Sequence, residues 1–218
     1  SKWLAYYMGI RSAVFDEWLK QKMKNHPDAA IIHIGCGMDS RVIRLGNEQH
    51  KWYDVDFSEV IEERKRYYTE SDHYQMISGD VRESKWVEMI KEYKSAIVVM
   101  EGVSMYLTVE EMQNLTACLC THFNEISLLV DCYTLFAAKM SKHRNPINDV
   151  GVTKVYGIDD PKVYESEQLI LIKEREMTPK KYIDELKGAE KFIFSKLYAG
   201  GLSKKLYRLY EYKKTDFK

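Results

Sequence analysis

The chain has 218 residues, 33 Lys and Arg against 33 Asp and Glu, and 45% hydrophobic residues. A chain of that size and apolar content can bury a core without disulfides or metal, which excludes disorder. Zero formal net charge gives no global field toward nucleic acid or an anionic membrane, so a small and nearly neutral partner is expected.

Residues 3–23 carry apolar side chains at helical spacing (Leu4, Tyr7, Met8, Val14, Phe15, Trp18, Leu19), which predicts one or two amphipathic helices ending near Pro27. Residues 29–34 form an apolar run stopped by Gly35-Cys36-Gly37. Asp39 or Ser40 then caps a helix through Leu45, so the order is strand, glycine turn, helix. A second strand over 51–56 ends in acids, and Ser58 caps a charged helix to Tyr68. A strand is predicted over 74–78, a helix over 81–92, a strand over 96–100, a helix over 108–122 and a strand over 126–133. Apolar strands alternating with helices of this length predict an α/β parallel sheet covered on both faces. Beyond Tyr133 the rhythm breaks. Residues 136–168 read as a helix and a long loop over the strand ends, 169–176 as a strand, 179–186 as a helix and 206–213 as a last strand, with no full crossover that would keep the sheet parallel.

The four prolines punctuate this order without clustering, and no repeat or Gly/Ser linker divides it. One domain over 1–218 is expected, with 1–27 as an N-terminal helical segment. Cys36, Cys118, Cys120 and Cys132, with six histidines, show no metal-ligand spacing; reduced buried thiols and no metal are expected. The apolar runs are too short to span a bilayer and the first residues lack a signal-peptide core, so a cytoplasmic location is expected. Two charged runs, 62–66 and 204–208 with 213–214, read as a solvated helix face and a basic edge strand.

In an open α/β sheet a ligand sits outside the carboxyl ends of the strands, where strand order reverses. Gly35-Cys36-Gly37 lets a ligand approach the backbone there. A dinucleotide fingerprint would need glycine at position 40, where this chain has Ser40, which weakens a pyrophosphate reading. Asp54 and Asp56 end the second strand, where an acid binds ribose hydroxyls. Ribose without pyrophosphate points to S-adenosylmethionine. After the third strand, Asp80 suits an adenine amine and the Val81 N–H a ring nitrogen. Glu101, after the fourth strand, suits an ammonium or sulfonium.

The segments GIRSAVFD (9–16), IGCGMDSR (34–41), YDVDFSEVI (53–61), GDV (79–81) and EGVSMYL (101–107) resemble the leucine carboxyl methyltransferase superfamily, in particular a bacterial branch named for tetracenomycin polyketide O-methylation. The resemblance implies a Rossmann-like class I methyltransferase sheet, mostly parallel with an antiparallel C-terminal strand. It implies that Arg11 binds the methionine carboxylate, a bidentate role suited to guanidinium, with Lys2 as a weaker second cation. Asp56, beside Phe57, becomes the ribose ligand, with Asp54 supporting it. Asp80 and Val81 contact adenine, Glu101 lies near the methionine amino end, and Tyr106 lines the same pocket. The expected activity is S-adenosylmethionine-dependent O-methylation of a small molecule, polyketide-like, at a hydroxyl or carboxyl. A carboxylate needs no general base, a hydroxyl does, and His143, Tyr133, Asp131 and Tyr156 single out none. Residues 136–168 would cover the acceptor. A nucleoside-binding protein without catalysis on the same fold, and an NAD-type oxidoreductase, remain as alternatives.

Overall fold

The computed structural model describes residues 2–46, 49–141 and 154–214. Seven strands form one sheet: β1 (Ala30–Ile34), β2 (Trp52–Asp56), β3 (Tyr74–Ser78), β4 (Ser95–Met100), β5 (Glu125–Tyr133), β6 (Leu169–Arg175) and β7 (Tyr207–Lys214). Their order is β3-β2-β1-β4-β5-β7-β6. The pairs from β3 to β5 are parallel, and β7 runs antiparallel to both β5 and β6. The order reverses between β1 and β4, which opens the crevice at their carboxyl ends.

Each strand alternates its side chains between two cores. Ala30, Ile32, Ile34, Val98, Met100, Leu128 and Val130 face helix α4 (Val109–His122), which buries Met112, Leu115 and Leu119. Its start is a capping box: Thr108 accepts from the Glu111 N–H and the Glu111 carboxylate accepts from the Thr108 N–H. Ile31, Ile97, Val99 and Leu129 face the other way, onto α1 (Lys2–Asn25). This helix is a single 24-residue element with Tyr7, Ile10, Val14, Phe15, Trp18 and Leu19 buried. Burying Trp18 or Leu19 there contributes roughly 2–3 kcal/mol each. Pro27 lies just beyond the helix end, where proline resists helical continuation.

The same alternation places His33, Asp54 and Asp131 on the α1 side of the sheet, where they are buried. A polar layer forms between α1 and the carboxyl half of the strands. Arg11, Ser12 and Asp16 enter it from α1, Arg41 from α2 (Arg41–Leu45) and Arg64 from α3 (Ser58–Arg64).

Four sequence expectations change. The helix over 81–92 is a turn followed by one 3-10 turn, Val87–Met89. Asp80 Oδ1 accepts from the Arg82 N–H at 2.9 Å, and Trp86, Val87 and Ile90 reach the core within that turn, so no longer apolar face is required. Arg64 is fully buried instead of lying on a solvated face, because Asp54, Tyr74 and Gly37 hold it. The basic last strand is internal, not an edge: β5 and β6 pair on its two sides, and Lys214 donates to the Cys120 and Phe123 carbonyls, both at 2.8 Å. Helices α7 (Gly188–Leu197) and α8 (Gly201–Lys204) follow α6 (Lys180–Asp184). They escape sequence reading because Phe194 is the only fully buried residue that α7 contributes. Helix α5 (Leu135–Ser141) opens the predicted cover; residues 142–153, with His143, Pro146 and Gly151, lie outside the described residues. Among the described residues no helix is long and apolar enough to cross a membrane.

Candidate functional site

The glycine turn at the end of β1 adopts positive φ at Gly35 (66°) and Gly37 (48°), conformations that disfavour any side chain. The two glycines differ in surroundings. A Cβ on Gly35 would lie 2.2 Å from Val103 Cγ2, whereas one on Gly37 would meet nothing within 4 Å. Gly35 is needed for packing, while the space over Gly37 is open to a ligand. Cys36 between them is buried, and burial pushes its thiol pKa well above the usual value, so this residue offers backbone and not a reactive sulfur.

Asp56, at the end of β2, ties the two strand ends together. Its Oδ2 accepts from the Gly37 N–H at 2.8 Å and its Oδ1 from the Phe57 N–H at 2.8 Å. An ionised carboxylate has about four acceptor positions, so two remain for ligand hydroxyls. Phe57 is half exposed beside it. Asp54 is instead sealed in the polar layer. It accepts from Arg64 at 2.5 Å, Tyr74 at 2.6 Å and Trp52 at 2.8 Å. Burial would raise its pKa, yet His33, Arg64 and Tyr74 outweigh burial and lower it. Arg64 also donates to the Gly37 carbonyl at 2.9 Å, so this buried pair holds the glycine turn from behind.

Asp80 is held by Arg82, whose Nε lies 2.9 and 3.0 Å from its two carboxylate oxygens, and these bonds lower its pKa despite partial burial. Val81 packs against the core beside it. A ligand amine at Asp80 would have to share this carboxylate with an exposed arginine.

Arg11 and Glu101, predicted to serve opposite ends of one amino-acid moiety, touch: Arg11 Nε donates to Glu101 Oε1 at 2.8 Å. Arg11 also donates to Asp131 at 3.1 Å and to the Tyr207 hydroxyl at 3.0 Å. Burial opposes its charge, but Asp131, Tyr207 and Glu101 together raise its pKa. The other Glu101 oxygen accepts from Arg41 at 2.5 Å, and Arg41 continues to Asp16 at 2.7 Å. Arg41 is fully buried.

Asp131 is fully buried as well. Burial pushes its carboxyl up to about 6, against the lowering effects of Arg11, the Gly102 N–H and Tyr207. Arg11 and Gly102 open into a cavity of about 770 Å³ lined also by Tyr7, Tyr106, Tyr133 and Tyr207. Its further walls come from the first helix turns (Leu4, Met8), α5 (Met140) and α7 (Leu197). A second cleft of about 820 Å³, lined by Met23, Ile43, Leu45 and Tyr67, lies past the far end of α2, away from the strand carboxyl ends. Lys2 pairs with Glu190 on α7 at 2.5 Å. Tyr156 reaches the site edge by donating its N–H to the Met105 carbonyl at 2.8 Å.

The structure thus places Arg11 and Tyr106 on one cavity, with Glu101 bonded to Arg11, and brings Gly37 and Asp56 into direct contact. Sequence reasoning missed Arg41 and Tyr207. Arg41 follows the glycine turn at a helix start, but nothing local shows that it turns inward. Tyr207 lies in a basic segment whose pairing with β5 is a matter of topology.

A family model described as leucine carboxyl methyltransferase matches residues 1–120. The tetracenomycin polyketide synthesis O-methyltransferase TcmP of Streptomyces glaucescens is 31% identical over 158 residues, covering 72% of this chain and 58% of that protein. The S-adenosyl-L-methionine-dependent methyltransferase dpfgK of Gibberella zeae is 26% identical over 184 residues, covering 76% of this chain and 61% of that one. The chain therefore spans about three fifths of the length of these curated relatives. The magnesium protoporphyrin IX methyltransferase of Synechocystis PCC 6803, solved with bound SAH, superposes with a TM-score of 0.56 at 13% identity, over 97% of this chain and 84% of that one. That likeness identifies the class I methyltransferase fold.

Proposed function

From the premise that this chain belongs to the leucine carboxyl methyltransferase family, we propose that it is an S-adenosylmethionine-dependent O-methyltransferase for a small, largely aromatic acceptor. The observation that carries this reading is the Arg11–Glu101 pair, 2.8 Å apart, whose Arg11 lines the tyrosine-rich cavity. An adjacent guanidinium and carboxylate complement the carboxylate and ammonium of a free amino-acid group, which is what the methionine end of the cofactor presents.

The residues present fit this cofactor. Arg11 would take its carboxylate and Glu101 its ammonium. Asp56, already aimed by the Gly37 and Phe57 N–H groups, would take the ribose hydroxyls, over the open face of Gly37. Asp80 and Val81 would flank adenine, with Phe57 exposed beside them, and Tyr106 would bound the site toward the acceptor. Bound S-adenosylmethionine supplies a methyl group already activated as a sulfonium. The protein then has to align an acceptor oxygen and exclude water.

The acceptor side is the cavity itself. Five tyrosines and the methionines Met8, Met105 and Met140 line it, a surface suited to flat aromatic molecules. The name of the Streptomyces relative refers to polyketide synthesis, which agrees with that chemistry. Helix α5, which brings Ala137, Met140 and Ser141 to the cavity, would form part of the acceptor cover. Transfer of labelled methyl from S-adenosylmethionine to a panel of phenols and aromatic carboxylic acids tests the reading. Absence of cofactor binding by calorimetry would overturn it in favour of another use of the fold.

A further inference from the structure

Glu101 is held from two sides. Its Oε1 accepts from Arg11 Nε at 2.8 Å and its Oε2 from Arg41 Nη2 at 2.5 Å. A guanidinium and a carboxylate left to themselves frequently close into a two-bond fork. Here the contact between Arg11 and Glu101 is single, because the second oxygen is drawn to Arg41. Arg11 Nη1 turns to Asp131 and to the Tyr207 hydroxyl, and its Nη2 makes no hydrogen bond to a described residue. That nitrogen lies beside Gly102, where a Cβ would be 3.7 Å from it, and Arg11 and Gly102 share the cavity wall. Glu101 keeps 10% of its side chain exposed. Its hydrogen bonds to Arg11 and Arg41 use only part of the roughly four acceptor positions of a carboxylate.

Arg41 is fixed more firmly than either. It is the first residue of α2, just after the glycine turn, and the Asp39 carboxylate accepts from its N–H at 2.9 Å. Its side chain has no exposed surface. Nε donates to Asp16 at 2.7 Å, Nη1 lies 3.1 Å from Asp39 and 3.3 Å from His33 Nε2, and Nη2 also donates to Ser12 at 3.2 Å. The carboxylates of Asp16, Asp39 and Glu101 thus surround this cation, and Arg44 shares the first two. Helix α1 on one side and the turn on the other aim Nη2 at Glu101.

We propose that Arg41 is a positioning residue for the methionine end of the cofactor: by holding the second oxygen of Glu101 it stops the Arg11–Glu101 fork from closing, and so leaves a donor and an acceptor open to a zwitterion. This role rests on the S-adenosylmethionine reading and adds to it a residue that does not line the cavity. Without Arg41, Glu101 would turn both oxygens to Arg11, and the two charges would satisfy each other in place of a ligand.

The test is calorimetry with two ligands that share the thioadenosine part: S-adenosylhomocysteine, which carries the amino-acid end, and methylthioadenosine, which lacks it. Wild type is measured first. No binding of S-adenosylhomocysteine there would overturn the cofactor reading itself, a failure separate from that of Arg41. Arg41→Lys keeps a cation beside Asp16 but ends one bond short of the position of Nη2. It should weaken S-adenosylhomocysteine by about 30-fold and methylthioadenosine by less than about 3-fold. Asp16→Asn keeps Arg41 and loosens only its anchor, so it reads the same contrast in a milder variant, with a loss of about 5-fold confined to S-adenosylhomocysteine. A purely structural role would weaken both ligands alike, and equal losses would overturn the proposal. Combining Arg41→Lys with Glu101→Gln gives a second readout. A residue that acts through Glu101 adds little once Glu101 has lost its charge, so the double variant should bind S-adenosylhomocysteine within about 3-fold of Glu101→Gln alone. Additive losses would overturn the proposal, as would wild-type affinity for S-adenosylhomocysteine in Arg41→Lys.

Discussion

Arg64 Nη2 lies 2.5 Å from Asp54 Oδ2 with neither side chain exposed to solvent, and the same guanidinium reaches the Gly37 carbonyl. A buried pair of this kind is costly to break, because the survivor stays charged and unpaired. Arg64→Met should lower unfolding free energy by roughly 3–5 kcal/mol, read by urea denaturation. A loss under about 1 kcal/mol would place Arg64 among surface ion pairs instead.

Asp131 makes an opposite contribution to pH dependence. Its carboxyl is raised from the usual 3.8 to about 6 on folding, so between those values the folded state binds more protons than the unfolded one. Stability from this group is greatest below pH 4 and is lost as pH rises through 6. Asp131→Asn cannot titrate. Its stability relative to wild type should therefore improve by on the order of 3 kcal/mol between pH 4 and pH 7.5, measured as the difference between two thermal or urea series. A difference that stays flat with pH would mean that Asp131 titrates alike in both states.

Cofactor affinity should depend on Asp56 and Arg11 in distinct ways. Asp56→Ala removes the ribose acceptor and the tie to Gly37, and should weaken S-adenosylmethionine by roughly 100-fold or more. Arg11→Lys keeps the charge without the planar fork and should cost about 10-fold. Calorimetry on variants with wild-type circular dichroism decides, and unchanged affinity in both would remove these residues from the cofactor site.

The two glycines of the turn should separate packing from binding. Gly35→Ala places a methyl against Val103 at a φ of 66°, and should cost about 2–4 kcal/mol of stability. Gly37→Ala meets no protein atom and should cost about 1–2 kcal/mol from its backbone alone, while obstructing the ligand. Melting curves and calorimetry on the same samples should show the larger stability loss in the first and the larger affinity loss in the second.

The strands were readable because each is a short apolar run between turn residues, and β3 begins and ends where its pattern does, at Tyr74 and Ser78. Residues at strand carboxyl ends were equally accessible, since Gly35, Asp56 and Glu101 stand where the chain changes element. Side chains that act from within elements were not. Arg64 sits among Glu62, Glu63, Lys65 and Arg66, and only its orientation toward Asp54 distinguishes it from those solvated neighbours. Tyr207 acquires its partners from β5 and α1, through pairings more than 70 residues apart.

The insertion of β7 between β5 and β6 has a kinetic consequence. During synthesis β5 presents an unpaired outer edge until residues 207–214 emerge, and β6 cannot dock before them, since β7 is its partner in the sheet. These antiparallel contacts join distant parts of the chain, the kind of closure that slows folding and leaves an adhesive strand edge in the meantime. Tyr207 is the first residue of that strand. The edge is quenched and the innermost wall of the cavity completed by one and the same zippering event, so a nascent chain stalled before it would be both aggregation-prone and unable to hold Arg11 in its final geometry.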